Sequence, residues 1–340
     1  MTDRLELMGA PGSPYTRKML ALLRYRHIPH NMIWGGAMGA PEGYPKPKVP
    51  LLPTFYFRGS GGDLEALVDS TPIIRRLEKC YAGRSVIPEN EALCFLDLLV
   101  EDYADEWVTK AMFHFRWAFQ ADADHAAPLL IHWANPNLSQ EQVVEMAAQF
   151  SKRQIDRLYV VGSNEITAKT IENSYVRLLD LLDRLIQQQG FILGGRPSAC
   201  DFALYGQLTQ LTQVEPTSMA LTRRLAPRVR GWVDRMDDLS GHQDGDWLAD
   251  DQYGALAELL TEIGRVYAPF LIANAAAVAS GASDVNIEID GRKWQQPVFA
   301  YQAKCLVALR NGYQALSDEA RTKVDSVLAG TGCETMFAES

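Results

Sequence analysis

The chain has 340 residues, of which 47% are hydrophobic and 22% charged, a balance typical of a globular protein that excludes fibrous, collagen-like and wholly disordered classes. Its formal net charge of −9 argues against nucleic acid or an anionic membrane as a partner, because binding to phosphates depends on Lys and Arg. About two ordinary domains are expected at this length.

Strand and helix signals alternate along the first 84 residues. In order they are a strand at 5–8, a helix starting at Pro14, strands at 33–34 and 49–57, and a helix at about 71–81. Strands interleaved with helices predict a small α/β sheet domain over residues 1–84.

Beyond the polar stretch at residues 83–90, strand signals stop and long amphipathic windows follow. The windows lie at about 91–119, 139–160, 165–189, 199–213, 219–238 and 252–280. They predict an all-α domain over residues 91–282, in which the apolar, Ala-rich segment at 268–279 is a buried helix too short to span a bilayer.

The last segment, residues 283–340, carries its own structural signals. Val285, Ile287 and Ile289 alternate with polar residues, and the following Asp-Gly pair is typical of a type I′ turn, so a hairpin is predicted. Helices follow at about 298–316 and 318–329. Because a two-stranded hairpin is not stable alone, this extension should pack on the helical domain or on a second subunit. Its natural contacts are Trp294, Phe299 and Tyr301. We expect it to narrow a ligand cleft or to enlarge a dimer contact.

The cysteines predict neither a disulfide framework nor a metal site. They are odd in number, widely spaced and without a CxxC pair: Cys80, Cys94, Cys200, Cys305 and Cys333. The amino terminus has charges where a signal peptide needs an apolar core. Free thiols in a reducing cytoplasm are therefore expected.

Ser13 and Pro14 stand between the first strand and the first helix, at positions typical of an N-cap and a first helical residue. A helix amino terminus presents free N–H groups and a partial positive charge, so an anion near Ser13 would be stabilised. The alternative is that Ser13 only caps the helix.

Two further motifs follow in the same domain. Pro50 heads the third predicted strand, and if the bond from Val49 to Pro50 is cis, the backbone of Val49 can pair with an extended peptide-like ligand. Asp69 and Ser70 open the next helix, where the serine could hold a carboxylate and the aspartate an ammonium group. An ordinary trans proline and an ordinary helix cap are the structural alternatives.

A fourth motif lies in the helical domain, where Ser198 and Asp201 form a capping box at the start of a helix. With the four motifs in this order, residues 1–240 resemble the glutathione transferase family, whose amino-terminal domain has the thioredoxin fold. Ser13-Pro14-Tyr15-Thr16 stands where redox proteins of that fold carry C-P-Y-C, so dithiol exchange is excluded at this site.

The resemblance implies how glutathione, the cosubstrate, would bind. Ser13 would hydrogen-bond its sulfur, and Val49, ahead of a cis Pro50, would pair with its cysteinyl backbone. Its γ-glutamyl end would be held by Asp69 and Ser70, and its glycine carboxylate reached by Lys48. The resemblance also implies a homodimer. The residue pattern itself predicts no metal.

An aromatic stripe along the first long helix of the α domain has two interpretations. At three- and four-residue spacing it is typical of a core, whereas the resemblance implies that this helix lines the pocket for a small hydrophobic electrophile. The candidate pocket residues are Tyr15, Tyr103, Trp107, His114 and Trp117.

The function that these patterns favour is a cytoplasmic glutathione transferase, active in detoxification, that uses Ser13 to activate the glutathione thiolate. A glutathione-dependent lyase, isomerase or dehalogenase on the same site is one alternative. A binding protein that keeps the fold without catalysis is the other.

Overall fold

The computed structural model describes residues 4–35, 40–59 and 61–338 of the chain. The terminal residues of the predicted first domain and of the extension, 1–3 and 339–340, lie outside the described part.

A four-stranded sheet forms the amino-terminal part of the molecule. Its elements are β1 (Leu5–Gly9), α1 (Pro14–Tyr25), β2 (His30–Trp34), β3 (Thr54–Arg58), β4 (Leu64–Leu67) and α2 (Ser70–Cys80). The strand order is β2-β1-β3-β4; β1 runs parallel to β2 and antiparallel to β3, which is antiparallel to β4. This is a thioredoxin-like β/α arrangement, so the predicted fold class of this part is confirmed. Strand β4 is not among the predicted strands.

A helical domain follows, with a π-helical turn at Ala104–Val108 joining its first two helices. Its helices are α3 (Glu91–Tyr103), α4 (Thr109–Trp117), α5 (Gln120–Ala134), α6 (Gln140–Ile155), α7 (Ala168–Gln189), α8 (Ala199–Gln213), α9 (Pro216–Leu225), α10 (Pro227–Met236), α11 (Ala257–Glu262) and α12 (Ala268–Ser280). Helix α5 is absent from the predicted windows, and the window at 219–238 is divided between α9 and α10 by Ala226-Pro227.

The carboxyl-terminal extension contains the predicted hairpin and two helices. The hairpin pairs β5 (Asp284–Ile289) with β6 (Arg292–Pro297), and Asp290 and Gly291 between them both have positive φ, as a type I′ turn requires. Helices α13 (Ala300–Gln314) and α14 (Asp318–Leu328) follow.

The extension packs on the helical domain through a buried aromatic cluster. Trp294 of β6 is 1% exposed, and its ring centroid lies 5.2 Å from that of Trp107 and 5.9 Å from that of Phe270. Among these rings lies the buried Nζ of Lys110, 4.1 Å from the centroid of Phe270 and 3.1 Å from Oε1 of Gln296. The hairpin therefore completes the core of the helical domain.

The stretch Asp250–Ser280 is long and apolar enough to cross a membrane by length and composition. In this fold it supplies core residues, because Leu259, Ile263 and Phe270 are at most 1% exposed. All five cysteines of the chain are free thiols.

Candidate functional site at the amino terminus of the first helix

Ser13 caps α1, and the helix begins at Pro14 as predicted. The Ser13 hydroxyl oxygen accepts from the N–H of Thr16 at 3.2 Å, and the hydroxyl donates to the carbonyl oxygen of Leu52 at 3.3 Å. The second bond is long and therefore weak, so the hydroxyl can turn to a better acceptor. Ser13 thus follows the carboxyl end of β1 and lies at the positive end of a helix dipole. Its hydroxyl can donate its hydrogen bond to a ligand there.

The cis peptide bond lies between Leu52 and Pro53, not between Val49 and Pro50. The expectation at Pro50 is wrong because β3 begins at Thr54, so the proline that directly precedes the strand is Pro53. Val49 is 52% exposed, and its carbonyl accepts from the N–H of Leu51 at 2.9 Å within the loop. The backbone facing Ser13 is that of Leu52, and Lys48 is exposed on the loop before it.

Helix α5, which lies outside the predicted helical windows, covers the loop before Ser13. A Cβ atom on Gly12 would lie 2.0 Å from Cδ2 of Leu130 and 3.2 Å from the ring of Trp133, so a larger residue here would require the Leu130 side chain to move. Arg116 donates to the Gly12 carbonyl at 3.0 Å. Leu130 and Trp133, both partly buried, are the apolar side chains that the structure places nearest to the Ser13 turn from this helix.

Asp69 and Ser70 at the start of α2 have different surroundings. Asp69 has a φ of 81°, which is uncommon for a residue other than glycine, and its side chain makes no cap hydrogen bond. Ser70 is buried, and its hydroxyl oxygen accepts from Nζ of Lys18 at 2.9 Å. The structure therefore directs the Ser70 hydroxyl into the domain interface, where it serves a buried lysine rather than an open carboxylate site.

Lys18 joins the two domains at this point. Its ammonium group also donates to Oε1 of Glu101 at 2.8 Å and to Oδ2 of Asp105 at 2.6 Å, and the side chains of Lys18 and Glu101 are each 1% exposed. Burial alone would lower the pKa of Lys18, but Asp105 and Glu101 raise it above its usual range. Burial raises the pKa of Asp105 to about 6, and Lys18 opposes that rise.

Lys18 is not among the predicted site residues, although the sequence carries a signal for it. Pro14, Lys18 and Leu22 are four residues apart on α1, and all three are buried. A lysine in such a stripe indicates a buried charge that needs carboxylate partners.

The predicted aromatic stripe lies in the core and does not line an open cleft. Trp107 donates from Nε1 to the hydroxyl of Ser174 at 2.8 Å, and His114 bonds through Nδ1 to the hydroxyl of Ser163 at 2.8 Å. Burial lowers the pKa of His114, which favours its neutral form. The stripe residues are at most 3% exposed: Tyr103, Trp107, His114 and Trp117. The core interpretation therefore applies to all four.

Tyr15, the remaining candidate for the electrophile pocket, is bonded within the protein. Its hydroxyl donates to the carbonyl oxygen of Asp105 at 2.8 Å, and burial raises its pKa well above the usual value. Asp105 lies in the π-helical turn, so this turn supplies both a carbonyl to Tyr15 and a carboxylate to Lys18. Tyr15 therefore contributes to the domain interface.

The class of this protein is that of two-domain proteins with a thioredoxin-like sheet domain followed by a helical domain. In this chain a capped helix terminus faces a loop that contains a cis proline. A model of the glutathione S-transferase amino-terminal domain matches residues 7–85, and a model of the glutathione S-transferase carboxyl-terminal domain matches residues 138–235. Together they cover just over half of the chain, which belongs to the glutathione S-transferase family. Neither match reaches beyond residue 235.

Several solved structures are similar to this chain. A glutathione transferase family member from Pseudomonas fluorescens with two glutathione bound has 16% identity and a TM-score of 0.43, covering 68% of this chain and 87% of its own. A glutathione S-transferase from Methylobacterium radiotolerans in complex with glutathione sulfonate has 15% identity and a TM-score of 0.41, covering 73% and 98%. The Tau class enzyme from mango has 16% identity and a TM-score of 0.43, covering 68% and 88%. No curated protein sequence matches this chain.

Proposed function

We propose that this protein is a glutathione transferase in which the Ser13 hydroxyl donates a hydrogen bond to the glutathione sulfur. The observation that carries the proposal is the position of Ser13. It caps α1 at the carboxyl end of β1, and the bond that its hydroxyl donates is a long one, 3.3 Å to the carbonyl oxygen of Leu52. A thiolate is a stronger acceptor than that carbonyl oxygen, because charge-assisted hydrogen bonds are stronger than neutral ones.

The energy required is within reach of this arrangement. A thiol with a pKa near 8.5 needs about 2.7 kcal/mol of preferential anion stabilisation to reach a pKa near 6.5. A hydrogen bond to a charged group contributes about 1.5–3 kcal/mol, and a helix amino terminus about 0.3–1 kcal/mol. The thiolate then attacks an electrophilic carbon: a C–S bond forms, and the leaving group departs with the electron pair of its bond.

The other parts of glutathione are proposed to bind to residues near the same edge of the sheet. The backbone of Leu52, which precedes the cis proline, replaces Val49 as the partner of the cysteinyl backbone. The carboxylate of Asp69 takes the ammonium group of the γ-glutamyl end, and the first N–H groups of α2 take its carboxylate. Lys48, exposed on the loop, remains the proposed partner of the glycine carboxylate.

The pocket for the electrophile, in this proposal, is bounded by α5 rather than by the buried stripe. Leu130 and Trp133 are the apolar side chains at Gly12, next to Ser13. They would contact a hydrophobic electrophile held near the sulfur, whereas Trp107 and His114 are enclosed in the core.

The proposal is tested with Ser13→Ala and a matched control, Ser139→Ala. Both serines cap a helix, but Ser139 caps α6 at an exposed position. Loss of a cap costs about 1 kcal/mol in either variant. Only Ser13→Ala should raise the pH at which bound glutathione ionises, and only this variant should reduce turnover with a model electrophile. Ionisation is measured by the ultraviolet absorbance of the thiolate.

Three results separate the alternatives. An unchanged thiolate titration in Ser13→Ala would refute the role of Ser13. Conversion of a substrate without a stable conjugate would identify a lyase, isomerase or dehalogenase. If the wild type does not bind glutathione at millimolar concentration, every enzymatic version of the proposal fails.

A further inference from the structure

The carboxyl-terminal extension reaches the proposed glutamyl subsite. The hydroxyl of Tyr301, in the first turn of α13, donates to Oδ2 of Asp69 at 2.8 Å, a contact between residues 232 positions apart. Burial and the charge of Asp69 raise the pKa of the Tyr301 hydroxyl, so it stays protonated and acts as the donor. The extension thus contributes a side chain at a site otherwise built from the sheet domain.

The turn that carries Tyr301 is anchored on both sides. The next residue, Gln302, is 2% exposed and donates from Nε2 to the carbonyl oxygen and to Oε2 of Glu106, at 3.1 and 2.9 Å. On the other side, the N–H of Phe299 donates to Oδ1 of Asn274 at 2.8 Å, and Nδ2 of Asn274 donates to the Phe299 carbonyl at 2.9 Å. Tyr301 is therefore held in place by bonds that do not involve Asp69.

The carboxylate of Asp69 keeps capacity for a ligand while it is bonded to Tyr301. A carboxylate offers about four acceptor positions, of which the tyrosine hydroxyl occupies one. Asp69 makes no bond to the helix that it precedes, so Tyr301 is the side chain that orients it. Tyr301 itself remains 42% exposed, and its ring lies 6.2 Å from that of Phe299, which is 36% exposed.

We propose that Tyr301 is a positioning residue of the glutamyl subsite, orienting the Asp69 carboxylate toward the ammonium group of a γ-glutamyl ligand. This inference rests on the proposed function. It assigns a role in ligand selection to the extension, which lies beyond the matches to the family models. The ligand class is an α-amino acid end group, recognised by its ammonium group.

The test uses Tyr301→Phe in the full chain, with binding measured by calorimetry for glutathione and for cysteinylglycine, which lacks the γ-glutamyl group. Loss of the hydroxyl should raise the Kd of glutathione about three- to tenfold and leave that of cysteinylglycine unchanged. Tyr313→Phe is the matched control, because it removes an equivalent bond to Asp325 within the extension. In an Asp69→Asn background, Tyr301→Phe should have no further effect.

Each other outcome contradicts the inference in a recognisable way. An unchanged or lower Kd for glutathione in Tyr301→Phe means that the hydroxyl does not position Asp69, or competes with the ligand for it. An equal loss for both ligands, or a loss in Tyr313→Phe as well, indicates a general effect of the extension. Wild-type protein that binds no glutathione refutes the proposed function and this inference with it, whereas wild-type binding with an unaffected variant refutes the inference alone.

Discussion

Replacing Lys18 by Met should destabilise the protein strongly at neutral pH. Methionine fills the same space, but it leaves Glu101 and Asp105 buried without the ammonium group that bonds to both of them. Within the described residues, the second oxygen of each carboxylate has no hydrogen-bond partner either. Removal of one partner from a buried ion pair costs about 3–5 kcal/mol, and we expect a loss of that size in the free energy of unfolding.

The loss should shrink in acid. Burial raises the pKa of Asp105 to about 6 even with Lys18 present, and without this cation its pKa rises further. A carboxyl with a raised pKa in the folded state stabilises the fold below that pKa and loses this contribution as the pH rises. Between pH 7.5 and 5.5, protonation of one such group can recover up to about 2.7 kcal/mol in the variant. The wild type recovers about 0.8 kcal/mol over the same range through Asp105, whose pKa is about 6, so the loss should shrink by at most about 2 kcal/mol.

Urea denaturation at pH 7.5 and 5.5, followed by tryptophan fluorescence, measures both quantities. Lys152→Met is the control, because Lys152 pairs with Asp156 on the surface, with side chains 77% and 60% exposed. It should cost at most about 0.5 kcal/mol at either pH. A loss below about 1 kcal/mol for Lys18→Met at pH 7.5, or an equal loss at both pH values, would refute the reasoning.

Two further predictions concern other parts of the fold. Burial lowers the pKa of Lys110 to about 7 from about 10.5, so the unfolded chain binds more protons above pH 7 and stability rises with pH in that window. Glu106, whose pKa burial raises to about 8, titrates in both proteins. Between pH 7 and 9 the wild type should gain up to about 2.7 kcal/mol relative to Lys110→Met in denaturation, and no gain would contradict the assignment. Gly206→Ala should lower the free energy of unfolding by about 1–3 kcal/mol, because the added Cβ would lie 2.5 Å from the carbonyl oxygen of Pro14. Gly231→Ala, which has open space around it, should instead stabilise the protein by about 0.5–1 kcal/mol. Equal thermal shifts in these two variants would show that the contact is not tight.

Local signals predicted well where the interaction lies within a few residues. Ser13 caps α1 ahead of Pro14, Asp201 accepts from the N–H of Ser198 at the start of α8, and Asp290-Gly291 closes the hairpin. Each motif satisfies its own backbone groups, so the residue types alone predict it.

The local sequence does not predict helix α5 or the position of the cis bond, because both depend on tertiary contacts. Helix α5 has a proline at position 128 and little amphipathic pattern. Its residues Ala123, Ala126 and Ala127 are buried where it packs against α6. Several prolines lie between residues 41 and 53, and the pairing of Met8 with Thr54 decides that β3 starts directly after Pro53. A proline-rich loop does not by itself reveal which bond precedes the strand.

The sequence by itself determined the class of fold, the cap at Ser13 and the existence of a structured extension. Only the tertiary structure decided which polar and aromatic groups meet. Periodicity places residues on one face of a helix, but it does not say whether that face meets the core or a cleft, so Trp107 was a candidate for both. The bonds of Lys18 to Asp105 and of Tyr301 to Asp69 join residues 87 and 232 positions apart. Such contacts depend on how the domains and the extension pack, because the energy of a buried or shared charge is set by neighbours that the local sequence does not contain.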